Sequence, residues 1–244
     1  MADPSIVRFR GVVQRALAEL EGRREEVNDL NVFPVADGDT GDNMALTLRA
    51  VLDELDRLSG EGEIDEIGRD EIVDSVARAA LLAEVLERAL DAGQSSVRRG
   101  PDLLPVLREA GVVDAGGFGL TVIFAGVVAA LRGTEAPELD HHEPARVTHP
   151  QHESSTFRYC TNFAVTGVAF EPTAWIDALE EIGDSVLVHV GDVDEIGRDE
   201  IVDSVACAAL LGARGNSGVI LSHLIRGARH RGADENGVDQ LAGA

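Results

Sequence analysis

The sequence predicts a mainly α fold with a small α/β segment. Apolar residues recur at helical spacing through most of residues 1–133. Alternation of β-branched and aromatic residues, which is typical of strands, is confined to short stretches after residue 155. Aromatic residues make up only 4% of the 244 residues, so the core must rest on Ala, Val, Leu and Ile.

Start and stop signals place the helices within residues 1–133. Asp3 followed by Pro4 is typical of a helix N-terminus, because aspartate caps free backbone N–H groups and proline is tolerated in the first turn. Gly111 is expected to end a short helix, since glycine readily adopts the left-handed conformation that closes helices. The predicted helices are about 4–27, 43–58, 69–90, 101–111 and an apolar helix after Gly117.

The composition changes after this helical part. Pro, His, Glu and Ser concentrate there without apolar periodicity, which predicts a linker. Strand-like stretches at 156–170 and 184–192 then flank a helix at 172–183. The predicted divisions are a helical domain at 1–133, a linker at 134–155, an α/β segment at 156–193 and a displaced helical segment at 194–244.

One 18-residue stretch occurs twice with a single difference. Residues 65–82 read DEIGRDEIVDSVARAALL, and residues 194–211 repeat them with Cys207 in place of Arg78. Repeat architectures stack several copies to bury a core, which a single near-identical pair does not do. The pair therefore indicates a recent duplication or rearrangement, with two equivalent helices in one chain.

The charge of the chain excludes several functions. The net charge is −23, from 44 acidic and 21 basic residues, and every basic residue is an arginine. A field of this sign repels nucleic acid and anionic lipid head groups, so we expect no nucleic-acid partner. The lack of lysine excludes a P-loop lysine and a Schiff-base lysine.

Neither a membrane span nor an export signal is expected. The longest apolar run, at residues 120–131, is shorter than the ~20 residues of a transmembrane helix and predicts a buried helix. The first residues lack the apolar region of a signal peptide. Cys160 and Cys207 are far apart in sequence and suggest no disulfide framework. We therefore expect a cytoplasmic chain with free thiols and no integral membrane segment.

Three aspartates crowd the stretch NVFPVADGDTGDNM. Gly38 and Gly41 let the backbone turn, so Asp37, Asp39 and Asp42 can converge. Their oxygens suit Mg²⁺ or Ca²⁺, although the glycine and glutamate positions of an EF-hand are not filled. Mg²⁺, which takes one or two carboxylates and completes its shell with water and phosphate, fits better. An Asp/Gly turn that caps the next helix is the alternative, and both can hold together.

Two glycine-rich stretches could approach an anion. In GARGNSGV, residues 212–219, a glycine-rich turn precedes an apolar helix, so backbone N–H groups at the helix start would face a phosphate. The stretch VVDAGGFGL, residues 112–120, has a similar form. Neither has the lysine of a P-loop or the spacing of a dinucleotide fingerprint. An ordinary helix entry is the alternative for both.

The histidines and cysteines are weaker candidates for metal binding. Four histidines of the predicted linker could catch a metal or be simply solvated: His141, His142, His149 and His152. Cys160 and His189 supply only two of the four ligands that a structural zinc site needs. Trp175 is expected to be a core residue.

Taken together, the stretches LNVFPVADGDTGDNM, GARGNSGVIL and LLPVLREAGVVDAGGFGL resemble the ATP-binding domain of the dihydroxyacetone-kinase family. They are most similar to the ATP-binding subunit of bacterial fatty-acid kinase. The stretch FRYCTNF also resembles the start of that family's middle domain. The resemblance implies an antiparallel helical barrel, or bundle, that binds Mg²⁺ and ATP at one end.

The resemblance also implies roles for individual residues. Asp37 and Asp39 would hold Mg²⁺ against the ATP phosphates and serve catalysis, and Asp42 would be a third metal ligand. The residues implied in nucleotide binding are Thr40, Asn43, Gly116, Gly117, Gly215, Asn216, Ser217 and Gly218. A separate fatty-acid-carrier protein would present the acyl substrate, and the product would be an acyl phosphate. A homodimer is one oligomeric state compatible with this arrangement.

The order of the motifs departs from the family pattern. In the family, GARGNSGV directly follows the helix found here at 65–82, whereas here it follows only the second copy. The family's intervening helices and the paired histidines of its middle domain are not found. Several interpretations therefore stay open: a kinase subunit for a carrier-bound fatty acid, a glycerone kinase subunit of the dihydroxyacetone-kinase type, a nucleotide- or partner-binding relative without turnover, or a recombination product without selected function.

Overall fold

The computed structural model describes residues 4–33, 36–59, 69–146 and 172–181, with shorter pieces between 205 and 225. The regular structure within these residues is helical, which confirms the prediction of a mainly α fold. The helices are α1 (Pro4–Gly22), α2 (Arg24–Asp29), α3 (Thr40–Ser59), α4 (Arg69–Leu103), α5 (Pro105–Ala110), α6 (Ala115–Arg132) and α7 (Pro172–Glu180). The helix predicted at 172–183 is confirmed by α7, while both strand-like stretches lie outside the described residues.

The core is built around α6. Its sequence is apolar on all sides, as expected for a helix surrounded by others, and Phe118 is among its fully buried residues. α1 and α4 pack along α6, and α2 and α3 also contact it. Among the described residues, α6 is the one helix long and apolar enough to cross a membrane, and 56% of it is buried inside the structure. Such burial is compatible with the core helix of a soluble protein.

Ion pairs show that α1 and α3 run antiparallel. Arg10, early in α1, pairs with Asp56 near the end of α3. Glu21, late in α1, pairs with Arg49 in the middle of α3. The later residue of α1 therefore pairs with the earlier residue of α3. The two helices are thus antiparallel, as the resemblance implies for a helical bundle. Closure of the helices into a barrel stays a prediction.

The crossing of α1 and α6 depends on a glycine. A Cβ added to Gly126 would lie 2.6 Å from the Cα of Ala16 and 2.9 Å from the carbonyl O of Arg15. Both distances are shorter than the contacts that close-packed carbon atoms make. Gly126 therefore lets the backbones of the two helices approach closely in the centre of the core.

The single helix predicted over residues 4–27 is in fact two helices. α1 ends at Gly22, and Arg23 has φ −118° and ψ 12°, outside the helical region. Its guanidinium lies over the Phe118 ring, 5.6 Å from the ring centroid. The break separates α2 from α1, and Val27 of α2 is buried in the core. A tertiary contact of Arg23, which periodicity cannot reveal, therefore accompanies the break between the two helices.

The helix predicted at 69–90 extends further than expected. α4 runs to Leu103 and includes Pro101, so it takes in the start of the helix predicted at 101–111. α5 then begins at Pro105, after an extended Leu104. Gly111 has φ 72° and closes α5, which confirms its predicted role as a left-handed helix cap.

Residues 139–146, here called the strap, lack regular structure but pack against the helices. The Ala145 N–H donates to the carbonyl O of Asp29 in α2 at 3.2 Å, and the Arg146 N–H donates to the carbonyl O of Ala110 in α5 at 3.0 Å. Leu139 is buried in the core. This part of the predicted linker is therefore irregular, as its composition indicates, and is attached to the helical domain.

Charged side chains also hold the strap in place. Arg98 of α4 donates two hydrogen bonds to the Asp140 carboxylate, at 2.6 and 3.0 Å. Arg23 donates to the carbonyl O of Asp140 at 2.7 Å. The backbone N–H of His142 donates to Glu26 Oε1 at 2.7 Å. The strap thus joins α2 to α4 through polar contacts.

The ring of His142 packs edge-on against Phe118, with 4.6 Å between the ring centroids. Burial lowers the pKa of His142, and the nearby positive charge of Arg23 adds to this effect. The carboxylates of Glu26 and Asp140 oppose it. The neutral imidazole is therefore the form that the folded protein favours.

This preference predicts a loss of stability at acidic pH. The unfolded chain protonates His142 near the ordinary value of about 6.5, whereas the folded protein resists protonation. The stability that neutral His142 contributes to the folded protein is fully present above that pH. It is lost as the pH falls towards the lowered pKa of the folded state. We expect the drop in melting temperature between pH 7.5 and 5.5 to be smaller in His142→Gln than in the parent. An equal drop in the parent and in His142→Gln would contradict the assignment.

The two copies of the repeated stretch lie in different environments. Val205 and Ala209 of the second copy are 4% and 0% exposed and belong to the core cluster. Ala80, which matches Ala209, is exposed on α4, and the adjacent Leu81 is 64% exposed. Val205 and Ala209 of the second copy therefore lie in the core, whereas the end of the first copy lies on the surface.

Candidate functional site

The predicted acidic loop leads directly into α3. Gly38 has φ 67°, a left-handed conformation that glycine adopts without strain, and α3 begins at Thr40. Thr40 and Asn43 are buried, Asp39 is half-buried and Asp37 is exposed. The loop thus places carboxylates at the N-terminal end of α3, where the helix dipole favours negative charge.

Two asparagines that the sequence reasoning missed hold this loop. The Asn28 side-chain oxygen accepts hydrogen bonds from the N–H groups of Gly41 and Asp42, at 2.7 and 3.3 Å. The Asn31 amide donates to Asp37 Oδ1 at 2.6 Å. Asn28, from α2, therefore caps α3 in addition to any capping by the loop itself. No short-range pattern connects it to the helix that it caps.

The second glycine of the loop is required by the approach of α2. A Cβ added to Gly41 would lie 2.6 Å from the carbonyl O of Arg24 and 2.9 Å from Asn28 Oδ1. Any side chain at Gly41 would therefore displace the capping asparagine. The two glycines of DGDTGDN therefore have different roles. Gly38 allows the turn, and Gly41 allows the close approach of α2.

Asp37 and Asp39 form a close carboxylate pair. Burial raises the pKa of the Asp39 carboxyl, a hydrogen bond from Asn43 opposes this, and the charge of Asp37 raises the pKa further. Side-chain hydrogen bonding with Asp37 is a further cause of the raised pKa of Asp39. Two carboxyl groups this close repel when both are ionised, and a cation or a shared proton relieves the repulsion.

The third aspartate does not join the pair. Asp42 Oδ2 accepts from the Asn28 amide at 3.0 Å, and Asp42 Oδ1 lies 3.3 Å from Arg24 Nε. Its charge still raises the pKa of Asp39. Within the described part of the chain, no group of three or more Asp, Glu, His or Cys side chains is arranged to hold a metal. The structure thus brings together two of the three predicted metal ligands.

Both glycine-rich stretches contact α3 near its start. A Cβ added to Gly119 would lie 2.7 Å from Met44 Sδ, and one added to Gly218 would lie 2.7 Å from Thr47 Oγ1. The Thr47 hydroxyl donates to the carbonyl O of Asn43 at 2.8 Å. All three motifs therefore meet on the first two turns of α3, despite their altered order along the chain. Of the predicted glycine-rich turn, Gly215 and Asn216 lie outside the described residues.

The start of α6 is capped by an acidic side chain. Asp114 is the N-cap residue, and its Oδ2 accepts a hydrogen bond from the Gly117 N–H at 2.7 Å. Gly116 and Gly117 are half-buried beside this cap. Because a carboxylate already occupies this helix end, a phosphate would be repelled there. The contact with adenosine that the resemblance implies for these glycines stays a prediction.

The described linker histidines take part in packing contacts. His141 Nδ1 lies 3.1 Å from Glu26 Oε1, and His142 packs against Phe118. Trp175, predicted to be a core residue, is 39% exposed on α7. The remaining candidates for metal binding, namely His149, His152, Cys160 and His189, lie outside the described residues.

Comparison with known proteins gives relatives without a stated activity. No profile of a known protein family matches the chain. The chain is 26% identical to an uncharacterized protein of Staphylococcus saprophyticus, over 74% of this chain and 48% of the relative. It is 25% identical to an uncharacterized protein of Staphylococcus epidermidis, over 80% of this chain and 49% of the relative. It is 24% identical to Protein YloV of Bacillus subtilis, over 74% of this chain and 48% of the relative. The chain thus spans about half the length of the curated relatives it matches.

Proposed function

We propose that this chain binds Mg²⁺ and ATP at the N-terminal end of α3 and supports phosphoryl transfer as a kinase subunit. The observation that carries the proposal is the meeting of three motifs on the first turns of α3: the acidic pair, the segment around Gly119 and the segment around Gly218. Phosphoryl transfer depends mainly on positioning and charge neutralisation, which acidic and glycine-rich segments can provide without a lysine.

The chemistry of the acidic pair fits Mg²⁺. Mg²⁺ uses one or two carboxylates and fills its remaining positions with water and phosphate oxygens, and Asp37 with Asp39 supplies two adjacent carboxylates. A bound Mg²⁺ would neutralise charge on the phosphates during transfer. Asp42 would serve as a third ligand only after leaving Asn28 and Arg24, so we assign it a supporting role in the loop.

The polar residues of α3 would complete the phosphate site. Thr40 and Asn43 are buried at the start of the helix, beside the carboxylate pair. Gly218, which follows Ser217 directly, approaches the same helix one turn further on at Thr47. Together with Gly215 and Asn216, they would cradle the phosphates, while Gly116 and Gly117 would approach the adenosine.

The acyl substrate is the part of the proposal that rests on the resemblance. We infer a fatty acid presented by a separate carrier protein, an acyl phosphate as the product, and a cytoplasmic location. A homodimer is compatible with this assignment. A glycerone kinase subunit of the dihydroxyacetone-kinase type would use the same site with a different acceptor.

A nucleotide-binding relative without turnover is the second candidate. It is favoured by the contacts of Asp42, which is paired with Arg24 and Asn28 instead of joining the carboxylate pair. Such a chain would still bind ATP with Mg²⁺, because Asp37 and Asp39 suffice for that step. Turnover, and not binding, therefore separates the two candidates.

Titration calorimetry with ATP tests the binding step. We expect ATP to bind in the presence of Mg²⁺, and binding to weaken at least about tenfold when EDTA replaces Mg²⁺, because the phosphate charge is then opposed by Asp37 and Asp39. Equal affinity with and without Mg²⁺ would contradict the metal assignment. Absence of binding in both conditions would reject the nucleotide site.

ATP consumption tests the reaction. Consumption that requires a fatty acid together with its carrier protein supports the fatty-acid kinase. Consumption with dihydroxyacetone alone would instead support the glycerone kinase. Binding without consumption under either condition would select the relative without turnover.

A further inference from the structure

Asn31 is a buried polar residue just after α2. It is 7% exposed, although asparagine is mostly found on protein surfaces. Its backbone N–H donates to the carbonyl O of Asn28 at 3.0 Å, in the turn that ends α2. Its side-chain amide donates to Asp37 Oδ1 at 2.6 Å. Asn31 is thus fixed by its burial and its backbone bond, so it can hold the exposed Asp37 carboxylate in one orientation.

The bond from Asn31 makes the two oxygens of Asp37 unequal. Oδ1 accepts the amide hydrogen bond, whereas Oδ2 can turn towards a cation without breaking that bond. A cation bound by both oxygens would compete with Asn31 for Oδ1. Asp39 has a comparable neighbour, because Asn43, which is also buried, hydrogen-bonds its side chain. Buried asparagines therefore restrict how each carboxylate of the pair can present its oxygens.

Mg²⁺ and Ca²⁺ make different demands on such carboxylates. Mg²⁺ is small, requires near-octahedral geometry and is held by one or two carboxylates, with water and phosphate oxygens in its other positions. Ca²⁺ is larger, takes about six to eight oxygens and accepts carboxylates through one oxygen or both. Selectivity between the two ions depends on the number and the flexibility of the ligands. Carboxylates that offer single oxygens in fixed positions therefore favour Mg²⁺.

We propose that Asn31 is a positioning residue that makes the acidic pair selective for Mg²⁺ over Ca²⁺. By holding Oδ1 of Asp37, it limits this ligand to one oxygen and keeps the carboxylate from turning both oxygens towards a larger ion. The inference rests on the proposed site for Mg²⁺ and ATP. It adds the ion that the site rejects and the residue responsible for the rejection.

Asn28 offers a matched control at the other end of the same loop. Its side-chain oxygen accepts from the N–H groups of Gly41 and Asp42, and its amide donates to the Asp42 carboxylate. Loss of the Asn28 side chain would loosen the loop through the start of α3, and it would weaken the binding of both ions alike. A changed preference between the ions therefore separates positioning of Asp37 from a general loosening of the loop.

Titration calorimetry with ATP, in excess Mg²⁺ or in excess Ca²⁺, measures the preference. We expect the unsubstituted chain to bind ATP at least about tenfold more tightly with Mg²⁺ than with Ca²⁺. In Asn31→Ala the affinity with Mg²⁺ should fall about tenfold or more, as is typical when a metal ligand loses its hydrogen-bonding partner, and the affinity with Ca²⁺ should change less than about threefold. In Asn28→Ala both affinities should fall by the same factor.

The outcomes distinguish failure of this inference from failure of the proposed function. Equal ATP binding with Mg²⁺, with Ca²⁺ and with EDTA would overturn the metal site, and the role of Asn31 with it. If ATP binding requires a cation but does not distinguish the two ions, only the role of Asn31 is overturned. The same holds if Asn31→Ala keeps the preference of the unsubstituted chain, or if Asn28→Ala loses as much of it as Asn31→Ala does.

Asn31→Leu covers the case in which alanine leaves a destabilising cavity. Leucine has the branched shape of asparagine but lacks its donor, so it fills the buried position without holding Asp37. We expect the same loss of preference for Mg²⁺ in this variant, and an unchanged preference would overturn the proposal. The comparison of the two ions in the unsubstituted chain depends on neither variant.

Discussion

Replacing Asp39 with asparagine is expected to weaken Mg²⁺-dependent ATP binding about 100-fold, because the loss of one of two charged ligands costs about 3 kcal/mol. Asp42→Asn is the matched control, and its effect should stay below about threefold, since Asp42 is held by Asn28 and Arg24. Calorimetry with ATP and Mg²⁺ measures both variants. Equal losses in the two variants would show that all three aspartates act together, contrary to the pairing of Asp37 with Asp39.

Asp39→Asn, which is expected to weaken ATP binding, is expected to increase the stability of the folded chain. Burial and the charge of Asp37 raise the pKa of Asp39, so folding makes this carboxyl harder to ionise than it is in the unfolded chain. The contribution of Asp39 to stability is therefore present below its unfolded pKa, and it is lost as the pH rises through the folded value. At neutral pH without Mg²⁺, Asp39→Asn should raise the melting temperature. A variant that loses both stability and ATP binding would indicate a folding defect instead of a lost ligand.

Gly126→Leu is expected to destabilise the chain by about 3 kcal/mol or more, because the side chain would enter the space occupied by the Ala16 backbone. The helices α1 and α6 would have to separate in the centre of the core. For a chain of this size such a loss lowers the melting temperature by ~6–12 °C. Circular dichroism at 222 nm, recorded during heating, measures the change.

Gly11→Ala is the control for the effect of glycine itself. Gly11 lies within α1, and a Cβ added there would meet no atom within 4 Å. Alanine has a higher helix propensity than glycine, so this variant should gain about 0.5–1 kcal/mol. Loss of stability in Gly11→Ala, or an unchanged melting temperature in Gly126→Leu, would contradict the packing described for α1.

Local signals explain which parts of the fold could be predicted from sequence. The left-handed cap at Gly111 and the acidic loop before α3 are encoded by residue types at short range, and both are present. The break at Arg23 could not be predicted in this way, because the partners of its side chain lie near Phe118 and the strap. Periodicity describes which face of a helix is apolar, but it carries no information about such distant partners.

In the candidate site, too, short-range patterns could be predicted from sequence, whereas contacts between distant residues could not. Sequence spacing identified Asp37, Asp39 and Asp42 as a group, and only the structure separates Asp42 from the pair. Asn28 was missed because its hydrogen bonds reach from α2 to the start of α3, and Asn31 was missed because its bond to Asp37 spans six residues of an irregular loop.

The repeated stretch marks a further limit of sequence reasoning. Two copies with one difference have the same local preferences, so no sequence pattern indicates which copy enters the core. In the structure the two copies differ in the segment that follows each of them. The second copy leads to Gly218 and its contact with Thr47, whereas the first continues into the anchored part of α4.

The short helix α2 supports two features of the molecule at once. Asn28 caps α3 and holds the acidic loop, while the next residue, Asp29, accepts the backbone hydrogen bond of the strap. The two attachments lie on adjacent residues of one short helix, so a substitution that unwinds α2 is expected to release the cap of α3 and the strap together.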